Sequence, residues 1–131
     1  MRTKRALLIA GLFLLPATLS HATDCLQRPV KPVRQISGIV TGQRGQPLAN
    51  AKVTVLKGDA ELAVEQTAAD GKFSFAQFGA GDYIVRVLAE GYSGVQAPIT
   101  IVKPRAKGKP QLRVLLDIGS MGCSVLARAK H

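Results

Sequence analysis

The chain has 131 residues and a formal net charge of +10, with two cysteines, two histidines and no tryptophan. This length holds one domain with a core of its own, and the lack of tryptophan argues against a carbohydrate-binding platform. The histidines stand at positions 21 and 131, so general acid–base catalysis, histidine triads and histidine-based zinc sites all lack their usual residue. We therefore expect a protein that is not an enzyme and that holds no metal or cofactor.

The first 22 residues have the pattern of a signal peptide. Three of the first five are basic, residues 6–15 form an unbroken apolar run, and Ser20-His21-Ala22 fits the small-x-small cleavage rule. A bilayer span needs about twenty apolar residues, so this run is too short to be an anchor. We predict cleavage before Thr23, export to the periplasm or the medium, and no transmembrane segment in the mature chain.

Cleavage would leave 15 basic and eight acidic residues, a net charge of +7. Such a surface steers a protein toward anionic partners, but it also keeps a small exported domain soluble. Cys25 and Cys123 are the two cysteines. An even count in an exported chain predicts a disulfide, and here one pairing is possible.

Residues 23–34 contain two prolines and are predicted to form an irregular N-terminal arm. Beyond them, apolar and polar residues alternate in seven short runs separated by glycine-rich or proline-containing turns, with no helical window. This spacing predicts an antiparallel seven-stranded β-sandwich over residues 35–127, followed by a tail at 128–131. The predicted strands lie at residues 35–40, 51–55, 61–65, 72–75, 83–87, 95–101 and 111–118, and residues 123–127 could add a short terminal strand.

The stretch from residue 70 to residue 87 organises the predicted core. Asp70-Gly71 provides residues that tolerate a tight turn, after which Phe73 and Phe75 share one face, and the alternation resumes at Tyr83. These three aromatic side chains are expected in the core rather than in a ligand site. Tyr92 lies in a turn, where a core role and a binding role stay open. Pro98 restricts its strand to a sheet edge or a bulge.

The motifs together resemble a known family. The strings are G-x-P-L-x-x-A-x-V from Gly45, D-G-x-F-x-F from Asp70, G-x-Y from Gly81 and Gly91-Tyr92. In this order they are similar to the carboxypeptidase regulatory-like domain, a transthyretin-like β-sandwich, over roughly residues 35–118. The resemblance implies an immunoglobulin-like or transthyretin-like sandwich that serves as a non-catalytic accessory or adhesion module. The histidine-glutamate motif of the metallopeptidases that such domains accompany is not present, and neither are the channel histidines of transthyretin-like hydrolases.

Carboxylates are the remaining candidates for chemistry. Asp59, Glu61 and Glu65 are close in sequence, and Asp70 and Asp82 lie in adjacent turns; we interpret all five as solvated side chains. Some adhesin repeats form lysine-asparagine isopeptide bonds, but the single asparagine, Asn50, lies in a predicted turn.

Three classes of function therefore stay open, of which an enzyme is disfavoured by the residues discussed above, and two are developed here. The first is a structural or protein-interaction domain in the cell envelope, with an unknown envelope or extracellular protein as its partner. We expect several apolar residues on outward faces to cluster into its binding surface; the candidates are Ile39, Leu56, Ile84, Leu88, Val102 and Leu115.

The second function is binding of anionic polymers or lipid headgroups through the basic loop, residues 103–109. Its four charges alternate with proline, alanine and glycine, so an extended backbone would align them on one side. Nucleic acid is not expected as a partner. The candidate anion-binding residues are Lys103, Arg105, Lys107 and Lys109.

Overall fold

The computed structural model describes residues 27–119 and 122–130. These residues form an all-β sandwich of two four-stranded sheets. The described part contains eight strands, so the predicted number of seven was wrong: the short terminal segment pairs with the strand before it and completes its sheet. The strands are β1 Ser37–Thr41, β2 Lys52–Lys57, β3 Ala60–Gln66, β4 Lys72–Ser74, β5 Gly81–Leu88, β6 Val95–Ile101, β7 Leu112–Leu115 and β8 Val125–Arg128.

The first sheet has the strand order β4-β1-β7-β8 and the second has the order β3-β2-β5-β6. All neighbours in the second sheet are antiparallel. In the first sheet β1 and β7 run parallel, so the prediction of a purely antiparallel sandwich was wrong at this pair. Parallel neighbours need a long crossover connection, and here the whole second sheet lies between them in the chain. The alternation of apolar and polar residues within one strand does not indicate which distant strand will pair with it.

The core lies between the sheets and is built from the predicted alternation. Ile36, Val40, Val53 and Val85 are fully buried. The expectation for the aromatic residues is confirmed, with a row of ring contacts that runs across the core. Ring centroids are 6.3 Å apart for Phe73 and Phe75, 6.1 Å for Phe75 and Phe78, and 5.3 Å for Phe78 and Tyr83. Tyr92 is half-buried and packs against the same core, and the Tyr83 hydroxyl donates to the Gly79 carbonyl at 2.9 Å.

The turn before β4 forms as the sequence predicts. Gly71 has a φ of +78°, and a Cβ on it would lie 2.6 Å from the Val40 carbonyl oxygen, so glycine is required for both reasons. The Asp70 carboxylate accepts a hydrogen bond from the Lys72 amide at 3.0 Å. This turn therefore fixes where the strand bearing Phe73 begins.

The N-terminal arm joins the two sheets along one side of the sandwich. The Gln27 side-chain amide donates to the Leu126 carbonyl at 2.6 Å and accepts from the Leu126 amide at 3.1 Å, so it occupies the outer edge of β8. Val33 then pairs with Ile101 at the outer edge of β6, where it is almost completely buried. Pro98 lies on β6, which is the last strand of its sheet, as predicted. The arm thus covers backbone groups on two edge strands.

Two sequence predictions concern residues that the structure does not describe. The signal peptide at residues 1–22 lies outside the described residues. Cys123 is described and is not a free cysteine, but Cys25 lies outside the described residues, so their pairing stays a prediction. The residues that the structure describes include no helix that is long and apolar enough to cross a membrane.

Candidate interaction surfaces

The five candidate carboxylates do not form a reaction centre. Asp59, Glu61 and Glu65 are exposed along the β2–β3 hairpin. Asp70 caps a turn, and Asp82 accepts a hydrogen bond from the Thr100 hydroxyl at 2.7 Å on the outer face of the second sheet. Within residues 27–119 and 122–130 no group of three or more histidine, cysteine, aspartate or glutamate side chains is arranged to hold a metal ion.

Strand β3 is the exposed edge of the second sheet. It pairs with β2 on one side, and its residues are all exposed except Ala63, which is half-buried. Ala63 lies opposite Val55, which directs Ala63 toward the core and leaves Leu62 and Val64 with 46% and 43% of their surface exposed. Sequence alternation found the strand but did not show that its two largest apolar residues point outward. Val64 points outward because it neighbours the inward-facing Ala63 in the regular part of the ladder, and the register shift after Val55 leaves Leu62 as an extra residue in β3.

The six outward apolar residues divide between two surfaces. Leu56 and Ile84 are direct cross-strand neighbours on the second sheet, and Thr54 beside them pairs with Val64 of β3. Leu56 is nevertheless 5% exposed, because its neighbours cover it. Ile39 and Leu115 lie on the first sheet instead, Leu88 lies at the far end of β5, and Val102 follows β6. The six residues therefore do not form one cluster, and Leu56 with Ile84 is the directly paired couple on the sheet that carries the exposed β3 edge.

The basic loop is bent rather than extended. The backbone bends at Lys103, whose φ is +46°, and again through residues 106–109. The Arg105 guanidinium folds back over Gly108, where a Cβ would lie 2.5 Å from it, and its Nε is buried without a hydrogen-bond partner. The loop is held to the arm by bonds from the Arg105 amide to the Arg34 carbonyl and from the Gln35 side chain to the Ala106 carbonyl, both 3.0 Å long. Arg105 is therefore withdrawn from the row of four charges that an extended loop would present.

A second basic surface was not found from the sequence. A cleft of about 820 Å³ opens between the arm and the end of β8, with the buried Gln111 on its wall. Four cationic side chains line it, and no carboxylate does. They come from two segments about a hundred residues apart in the sequence, so no local run of charge marks them. The four residues are Arg28, Lys31, Arg128 and Lys130.

The described charges separate across the molecule. Residues 58–71, which carry β3 and the turns on either side of it, hold four carboxylates and no basic residue. Residues 27–35, 102–113 and 125–130, which form the arm, the basic loop, β7 and β8, hold ten basic residues and no carboxylate. In the second sheet β3 and β6 are the two edge strands, and in the first sheet β4 and β8 are the two edge strands. The sandwich thus has an acidic edge at β3 and a basic side where the arm runs.

Comparison with known proteins gives both a family and a fold. The carboxypeptidase regulatory-like domain model matches residues 35–113. A search of the curated proteins returns no match. Among solved structures, 5-hydroxyisourate hydrolase from Klebsiella pneumoniae is similar with a TM-score of 0.55 and 19% identity, over 73% of this chain and 99% of that one. The alignment with 3-chlorocatechol 1,2-dioxygenase from Rhodococcus opacus has a TM-score of 0.41 and 11% identity, over 87% of this chain and 70% of that one.

Proposed function

Because the chain belongs to the carboxypeptidase regulatory-like domain family, we propose that it is an exported, non-catalytic module that binds a protein partner in the cell envelope. The non-catalytic assignment is supported by the histidine inventory, since no histidine lies between residues 22 and 130. The likeness to the hydrolase, at 19% identity, concerns the fold alone. The export assignment depends on the signal-peptide pattern of the first 22 residues.

The exposed β3 edge is the observation that carries this function. An edge strand with unpaired backbone groups is a template for a further strand, and side chains at alternate positions then give specificity. The edge combines the exposed Leu62 and Val64 with the carboxylates of Glu61 and Glu65. We infer that the occupant is an extended segment of a partner protein in which apolar residues alternate with lysine or arginine.

A second copy of this chain fits the edge poorly. If two β3 strands paired antiparallel about Ala63, Glu61 of each copy would lie directly opposite Glu65 of the other. Like charges directly opposite each other destabilise a strand pair. A basic segment would instead place opposite charges across the same positions, so charge complementarity favours a different protein as the partner.

Site-specific crosslinking in cells that make the protein would test this function. A photoreactive amino acid at Val64 should capture a specific protein, whereas the same group at Val125, which is similarly exposed at 45% on β8, should not. Charge reversal by Glu61→Lys and Glu65→Lys should remove the capture at Val64 while the fold stays intact. Equal capture at both positions, or capture that survives the charge reversal, would contradict an edge-strand site.

Anion binding through the basic loop is the second candidate. It is supported by the absence of carboxylates from residues 102–113 and by the exposure of Lys103, Lys107 and Lys109. Replacement of Lys103, Arg105, Lys107 and Lys109 by serine should lower the salt concentration that elutes the protein from heparin. An unchanged elution position would exclude the loop as the anion site.

A further inference from the structure

The cleft between the N-terminal arm and β8 combines concave shape with charge of one sign. Arg28 and Lys31 approach it from the arm, and Arg128 and Lys130 approach it from the end of the described chain. All four side chains are exposed, so their charges are available to a ligand. Because a cleft with walls of one charge concentrates counter-ions, this site attracts anions more strongly than the same charges would on a flat surface.

The position of these charges is fixed by contacts of the neighbouring backbone. The Gln27 side chain holds the start of the arm to Leu126 by two hydrogen bonds, at 2.6 and 3.1 Å. The Arg128 guanidinium donates to the Pro32 carbonyl at 3.2 Å, and the Ala129 amide donates to the Gln111 carbonyl at 2.9 Å. The cations from the two ends of the chain are therefore held on opposite walls of one cleft.

The four cations of the cleft lie apart from the β3 edge and from the segment that the family model matches. The family match covers residues 35–113, so all four cations belong to segments outside it. They also lie in segments other than the basic loop, although Gln111 connects the two regions by a bond from its side chain to the Lys109 carbonyl at 3.3 Å. The family match therefore gives no function for this cleft.

The geometry points to a site that binds clustered phosphate groups. Arginine presents a planar fork that suits phosphate oxygens, and lysine provides a point charge that tolerates several phosphate positions. Four cations around about 820 Å³ exceed what a single phosphate needs, so the ligand carries several phosphates, either in a linear chain or on adjacent lipid headgroups. This site acts independently of partner binding at β3.

Titration with a defined linear polyphosphate and with phosphatidylglycerol vesicles would test the site and identify the source of its phosphates. The variant Arg28→Gln, Lys31→Gln, Lys130→Gln keeps Arg128 and its bond to the arm. Three lost phosphate contacts should weaken binding about tenfold or more, and they should lower the slope of log K against log salt by about 2, at roughly 0.7 for each contact. Binding of polyphosphate alone would identify a soluble chain as the ligand, and binding of vesicles alone would identify lipid headgroups.

The matched control is Arg44→Gln, Lys52→Gln, Arg86→Gln, which removes the same charge from the turn after β1 and from β2 and β5. It should keep nearly the same affinity and salt slope as the unmodified protein, and melting curves should show that both variants fold. The inference is overturned if neither probe binds, if the cleft variant binds with unchanged affinity and slope, or if the control weakens binding as much as the cleft variant.

Discussion

At the scale of single residues, the tightest position is Gly38 in the middle of β1. It lies between β4 and β7, opposite Phe73 on one side and Leu112 on the other. A Cβ at this position would lie 2.4 Å from the Leu112 carbonyl oxygen and 2.9 Å from the Phe73 ring. The backbone of β7 cannot move aside as a flexible side chain could, so only glycine fits.

The variant Gly38→Ala should therefore destabilise the domain by about 1–3 kcal/mol, the usual cost of overpacking a well-filled core. Thermal or urea unfolding of the purified protein would measure this loss. Gly79→Ala is the matched control, because nothing lies within 4 Å of a Cβ there and the residue has no positive φ. If both variants were equally stable, the close approach of β1 to β7 would be disproved.

At the scale of elements, the arm and β8 lie side by side, and this arrangement bears on the predicted disulfide. Gln27 contacts Leu126, so Cys25, two residues before Gln27, and Cys123, three residues before Leu126, are within a few residues of a fixed contact. An extended chain covers about 3.3 Å for each residue. The predicted disulfide would therefore link two segments that Gln27 and Leu126 already hold together.

We expect the oxidised mature protein to carry no titratable thiol after unfolding without reductant. For a loop of about a hundred residues, the chain-entropy model gives a disulfide a stabilisation of roughly 4–5 kcal/mol before any strain. Cys25→Ser should then lower the melting temperature clearly, and reduction should have little further effect on that variant. Two thiols per chain in an Ellman titration of the unfolded, unreduced protein would contradict the pairing.

The elements also show what local sequence can and cannot predict. Alternation located the strands that supply the core, and the buried Phe73, Phe75 and Tyr83 followed from it. It could not predict the outward position of Leu62 and Val64, because alternation shows that they share a face, whereas the pairing of Ala63 with the buried Val55 decides which face is covered. The cationic cleft was missed for a related reason. Its walls come from opposite ends of the chain, and only the tertiary structure brings them together.

At the scale of the whole molecule, charge is segregated rather than balanced. Residues 27–35, 102–113 and 125–130 carry ten basic residues and no carboxylate, while residues 58–71 around β3 carry four carboxylates and no basic residue. Like charges held close together in the folded state repel one another, which lowers the stability of the compact form. Dissolved salt weakens this repulsion, since the screening length is about 10 Å at 0.1 M.

The melting temperature should therefore rise when sodium chloride is increased from about 0.01 M to about 0.5 M, a range over which the screening length falls several-fold. Differential scanning calorimetry would measure the change. The triple variant at Arg28, Lys31 and Lys130 should show a smaller rise, because part of the repulsion has been removed. A melting temperature that falls with salt would mean that attractive pairs outweigh the repulsion.

If the chain is exported as proposed and crosses a membrane from its N-terminus, the parallel pairing of β1 with β7 sets an order of folding events. The second sheet joins close neighbours, whereas Gly38 must wait for Leu112, about seventy residues later. Closing the longer loop costs more entropy, so the nearer contacts form first. Strand β1 would thus emerge early and stay unpaired on its β7 side until nearly the whole domain has been delivered. Pulse-labelled amides should be protected in β2, β5 and β6 before those in β1 and β7.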